Sequence, residues 1–184
     1  SEFFKPSDVA DIAASLDNSS EDAFILDAWN LVSSIPYEAI GSDLEFHNNT
    51  VVCQKCYDPL ATLARGKGNC VGKSALLGSL LMNRLDPSRI RMTIGYLNTN
   101  HIGGHAWIEV FRAGDWWLLE STLGPSQRPW HSVEDLWGRY EASTRFSADM
   151  FECLDPEVCA LRFKVGKCNC GQVIKRLVGK ELGW

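Results

Sequence analysis

A chain of 184 residues, 45% hydrophobic and 22% charged, has the size and composition of one globular domain, 1–184, with enough apolar surface to close a core. A formal net charge of −5 and the lack of a basic stripe argue against nucleic acid as a partner. The longest apolar run, Ala75 to Met82, is broken by Gly78 and Ser79 and falls short of the roughly 18 to 20 residues of a membrane span, so no membrane partner is expected.

The N-terminus lacks a charged-then-apolar leader pattern. Ser1, Glu2 and Phe3 have the look of a cloning remnant, and the expectation is a piece of something longer. Asp8 to Leu16 and Glu21 to Ser34 carry apolar residues at intervals of three and four, as in Phe24, Ala28 and Leu31. This predicts two amphipathic helices in a helical N-terminal part, 7–35, the second capped by Ser19 or Ser20 and closed before Pro36. Gly41 to Thr50 is polar and reads as a loop. Asp58-Pro59 opens a short helix that ends in a turn at Gly66 and Gly68.

Val71, Ala75, Leu76 and Leu80 then set a helical, mostly apolar pattern from Cys70 to Arg84, which predicts a buried central helix ended by Asp86-Pro87. The texture changes to short strands at Arg91 to Leu97, Ala106 to Phe111 and Trp116 to Leu119, with a hairpin turn at Ala113-Gly114-Asp115. Ser132 to Tyr140 reads as a helix capped by Ser132. The C-terminal part, 146–184, holds four of the seven cysteines. Helices first and an antiparallel sheet afterwards is an α+β arrangement.

Chemistry concentrates where the central helix should meet the sheet. Cys70 falls at the head of that helix, in a run written GKGNCVGKS. The glycines let backbone pass close to a partner, and the first helical turn offers open N–H groups and the positive end of the dipole. A cysteine attacks an acyl carbon as thiolate, so it needs such surroundings and a nearby imidazole. His105 follows in GGHAWIEV, with Gly103 and Gly104 leaving room for substrate, and Glu120 ends the next strand in WWLLEST, where it can fix the imidazole tautomer.

A glycine-rich turn with Cys at a helix start, then His-Ala-Trp on a strand, then a Trp-containing strand ending in acid-x-Thr resembles the core of the transglutaminase-like cysteine protease superfamily. The match runs over about 57–124. The resemblance implies a papain-like fold and assigns nucleophile, general base and orienting acid to Cys70, His105 and Glu120. It also implies an upstream donor that completes an oxyanion hole, for which Tyr37 is the candidate; Asn69, Gly104 and Trp107 are the other expected cleft residues. The family usually carries Asp where this chain has Glu120, with Asp115 as the fallback acid.

The same run also suggests a phosphate loop. The spacing to Gly72-Lys73 fails and no strand precedes it, so Lys73 and Ser74 are expected on the helix surface. Cys53-x-x-Cys56 and Cys168-x-Cys170 form two close pairs, the pattern of a structural zinc site. Disulfides among these four, or with Cys153 and Cys159, are the alternative. Reduced thiols would favour zinc and a cytoplasmic protein, an oxidising compartment bridges. Peptide N-glycanases of the same superfamily use two Cys-x-x-Cys pairs, of which this chain has one before Cys70. His47, His101 and His131 read as surface or capping residues. Trp107, Trp116 and Trp117 read as core and cleft wall, Trp107 being the one expected to touch substrate.

The sequence thus predicts an amide hydrolase acting on a protein or peptide through a Cys70 thioester, with no cofactor for catalysis. Acyl transfer to an amine, a peptide N-glycanase-like amidase and a non-catalytic binding module are the alternatives.

Overall fold

The computed structural model describes residues 3–38, 44–47, 50–53, 58–96, 104–122, 130–132, 140–147 and 151–153. A 3-10 turn, Pro6–Val9, leads into a short helix α1, Ala10–Ser15. Helix α2, Glu21–Ser34, opens where the Ser20 side chain accepts from Ala23 N, with Glu21 and Asp22 set against the dipole in its first turn. It stops at Ile35 because Pro36 disfavours helical backbone just before it. Its Phe24, Ile25, Ala28, Trp29 and Val32 are buried.

Helix α3, Pro59–Arg65, has the predicted start: Asp58 accepts from Leu60 N and Ala61 N, and Pro59 sits where an N–H is not needed. Gly66 ends it at φ +61°. Helix α4, Cys70–Leu81, is capped by Asn69, and nearly every residue in it is buried. It is central, packing on α2, α3 and the sheet. Phe4 lies flat against it at Gly78, where a Cβ would come within 2.2 Å of the ring.

The predicted strands appear as β3, Ile90–Tyr96, β4, Gly104–Arg112, and β5, Asp115–Leu119. The β4–β5 turn holds Ala113 at φ +51° and Gly114 at φ +86°, which is the primed two-residue geometry that matches strand twist. Three further strands, β6, Trp130–Ser132, β7, Glu141–Phe146, and β8, Phe151–Cys153, complete an antiparallel sheet of order β6-β5-β4-β3-β7-β8. Period-two alternation divides its residues. Ile90, Met92, Ile108, Val110 and Leu119 join the helices in the core, whereas Arg91, Thr93, His105, Trp107 and Glu109 alternate with them.

Two expectations are corrected. The polar stretch Gly41 to Thr50 is not all loop: β1, Leu44–His47, pairs with β2, Thr50–Cys53, through Phe46–Val51 and its neighbours. Ser132 is the last residue of β6 and pairs with Trp117, and the helix expected to follow it falls on 133–139, outside the described residues. Lys73 and Ser74 are 1% and 0% exposed, since α4 is enclosed on all sides and has no solvent face there.

Candidate active site

Cys70 is the first residue of α4 and is buried. The preceding turn is pinned from the α2 side: Gly68 N donates to Pro36 O at 3.1 Å, and Glu38 N donates to Gly68 O at 3.0 Å. This places Tyr37 beside Gly68 as a one-residue parallel bridge. Gly68 is required there, because a Cβ would meet the Thr62 methyl at 2.8 Å. Glu38 is tied to Arg65 and, at 2.5 Å, to Lys67.

His105 enters from β4, opposite Gly95 of β3. Its Nε2–H donates to Glu120 Oε2 at 2.6 Å. Cys70 lies close enough to act on the imidazole electrostatically, and with Nε2 turned to the acid, the Nδ1 edge is the one left for the sulfur. Burial alone would lower the pKa of His105. The interactions with Cys70 and Glu120 overcome that and hold it at about 9.

Glu120 follows β5 and is partly buried, which would favour its neutral form. His105, the Thr122 N–H and the Tyr140 hydroxyl outweigh burial and lower its pKa. Thr122 N donates to Oε1 at 2.6 Å, and Tyr140 OH donates to Oε2 at 3.0 Å. The indole of Trp29 reaches from α2 to the Glu120 main-chain oxygen at 2.6 Å. The acid is therefore fixed at both its backbone and its carboxylate.

The structure brings Cys70, His105 and Glu120 into one cluster. Asp115 does not compete: it pairs with Arg112 at the β4–β5 turn and accepts from its own neighbour, Trp116 N, at 2.7 Å. Tyr37 is 52% exposed, and its phenol is raised in pKa by burial and then by the charge of Cys70, so it lies within reach of the sulfur's field. Asn69 is spent as a cap, its Oδ1 accepting from Gly72 N at 2.8 Å. Gly104 begins β4 opposite Tyr96.

Trp107 is corrected. At 1% exposure it presents no surface to substrate; its ring stacks behind His105 at 6.0 Å, and its Nε1 donates to buried Glu109 at 3.0 Å. Glu109 also takes Arg91 Nε at 2.6 Å. Sequence reasoning missed Tyr140 and Trp29 as neighbours of the acid. Trp29 sits on the apolar face of a helix and looks like core; Tyr140 fell in the segment expected to be helical.

Lys73, one turn beyond Cys70, donates from Nζ to Ile35 O at 2.6 Å and reaches Ser33 O at 3.5 Å. It caps the C-terminal end of α2, where a cation is favoured. Burial lowers its pKa, opposed by the charge of Glu120.

Of the expected zinc ligands, Cys53 ends β2 with its side chain undescribed, and Cys56, Cys168 and Cys170 lie outside the described residues, as do Cys159 and His101. Cys153 ends β8, and its side chain is likewise undescribed, as are those of His47 and His131. Among the described residues, no group of three or more His, Cys, Asp or Glu is arranged to hold a metal, and no helix is long and apolar enough to cross a membrane.

Comparison with solved structures places this arrangement. Legionella pneumophila LapG superposes with a TM-score of 0.62 at 13% identity, over 93% of this chain and 86% of that one. A proposed cysteine protease of Cytophaga hutchinsonii gives a TM-score of 0.46 at 17% identity over 84% of this chain and 54% of that one. A TGase gives 0.44 at 18% identity over 75% and 35%. The fold is that of LapG, helices packed on an antiparallel sheet in an α+β arrangement. No family model matches the chain, and no curated protein matches it. At 13% identity the likeness to LapG concerns the fold alone.

Proposed function

We propose that the chain is a cysteine-dependent hydrolase of amide bonds in proteins or peptides, acting through a thioester on Cys70. The observation that carries this reading is the imidazole of His105, bonded through Nε2 to Glu120 and close enough to Cys70 to feel its charge. It supports the roles of nucleophile, proton carrier and orienting acid for the three.

The Cys70 thiolate attacks the amide carbon, and the carbonyl oxygen becomes an oxyanion. Asn69 occupies Gly72 N through its side chain and Lys73 N through its carbonyl, which leaves the N–H groups of Cys70 and Val71 to receive the oxyanion. Tyr37, whose phenol feels the charge of Cys70, is the candidate for a further donor. His105 gives its proton to the leaving amine as the C–N bond breaks, forming the thioester. Water then attacks with His105 taking its proton; the C–S bond breaks, its electron pair returns to the Cys70 sulfur, and the acid product leaves.

Incubation of wild type and Cys70→Ala with a mixed peptide and glycopeptide pool, followed by mass spectrometry, tests the reading. New termini or deamidated side chains are expected with wild type only. Identical product patterns from both proteins contradict it.

A further inference from the structure

Three donors from separate places hold the Glu120 carboxylate, and one of the two that take no chemical step is a side chain, the Tyr140 hydroxyl. We propose that Tyr140 is a positioning residue for the acid, its hydroxyl fixing the Glu120 carboxylate against His105. The inference rests on the reading of Cys70, His105 and Glu120 as the reacting set.

A glutamate side chain ends in a broad, roughly two-fold torsion, so a single hydrogen bond to one oxygen leaves the carboxylate free to pivot. Thr122 N holds Oε1 at 2.6 Å. That bond still permits rotation about Oε1, which would carry Oε2 away from the imidazole. The Tyr140 hydroxyl, 3.0 Å from Oε2, removes this freedom at the same oxygen that receives His105 Nε2 at 2.6 Å.

Tyr140 is well placed for this because its ring is itself constrained. It meets Trp107 edge-on, with centroids 5.3 Å apart and planes at 76°, and lies 6.1 Å from the His105 ring. Trp107 is held by Glu109, and Glu109 by Arg91. Tyr140 immediately precedes β7, whose Glu141 pairs with Tyr96 of β3. The acid on β5's exit and the base on β4 are thus locked from the far side of β3, by a strand that carries neither.

Oε2 shares its electron density between two donors. Removing one concentrates that density on Nε2–H, which holds the imidazole proton more tightly while the carboxylate loses its fixed orientation. The other titratable groups bearing on the pair are Cys70 and Lys73 from α4, and Tyr37 through its interaction with Cys70; Tyr140→Phe alters none of them.

The test is an NMR titration of the His105 Cε1–H resonance, assigned by its loss in His105→Gln, in wild type and Tyr140→Phe. The phenylalanine keeps the ring contacts and deletes only the hydroxyl. The expected result is an upward shift of at least about 0.3 pH units, with Tm unchanged. On any peptide that wild type cleaves, kcat should fall about tenfold with KM within about twofold. In a Glu120→Gln background the same substitution should leave the His105 titration where it is. A titration unmoved or lowered by Tyr140→Phe, or a shift that persists without the Glu120 carboxylate, overturns the proposal. The titration requires no turnover, so it judges Tyr140 separately from the reaction assigned to Cys70.

Discussion

At the scale of single residues, the most consequential property is the proton on His105. Its pKa of about 9 keeps the imidazole protonated through neutral pH, so the leaving amine finds an acid already charged. The rate of amide cleavage should therefore hold through pH 8 and fall as the pH rises through about 9, measured as kcat/KM against pH. The same shift has a stability consequence. A folded-state pKa above the unfolded value of about 6.5 adds stability that is complete below that value and lost as pH climbs through about 9. Glu120, lowered in the fold, works in the opposite direction: its share is present above the ordinary carboxylate range and is lost on acidification. Glu120→Gln keeps the size of the side chain and removes the charge; cleavage should drop by about 10²-fold or more, with His105 titrating at lower pH.

Cys70, His105 and Glu120 were legible in the sequence because each sits in a local context with a chemical reason: a capped helix start, a glycine-flanked strand, a strand end. Tyr140 and Trp29 were not legible, because their roles arise only from long-range contact. Lys73 shows the opposite failure. A lysine inside a helix reads as solvent-facing, and here it is buried because the α2 carbonyls supply what water would have.

At the scale of elements, caps and turns account for what could be foreseen. Ser20, Asp58 and Asn69 cap the helices they begin, and the strands β3 to β5 follow from alternation and a glycine turn. Strands β1 and β2 are four residues each, so the alternation of Leu44 and Phe46 with Glu45 and His47 is too short to stand out from the polar stretch around it, and β6 to β8 are very short or mixed in composition. Two substitutions probe the elements directly. Gly78→Ala inserts a methyl where the Phe4 ring already lies 2.2 Å from the Cβ position, and should lower stability by about 1–3 kcal/mol, read as a fall in Tm. Ala113, at φ +51° in the β4–β5 turn, takes a conformation that asparagine tolerates better. Ala113→Asn should raise Tm by about 1–3 °C with activity unchanged.

At the scale of the whole molecule, α4 is the spine: it carries the thiol, fills the centre of the core and meets every layer. The two sides of the site are built from sequence-distant parts, the turn before Cys70 held by the exit of α2 and the base and acid held by the sheet. This division explains why the overall class was readable early while the site's supports were not. The α+β arrangement follows from local patterning, but the tie from Trp29 to Glu120 spans α2 and β5, and only the assembled fold creates it. The central claim is that His105 makes Cys70 a nucleophile, and alkylation measures this most directly. Wild type and His105→Ala are treated with iodoacetamide at pH 6.5, and the Cys70 peptide is quantified by mass spectrometry over time. The account predicts modification at least about tenfold faster in wild type; equal rates in the two proteins would contradict it.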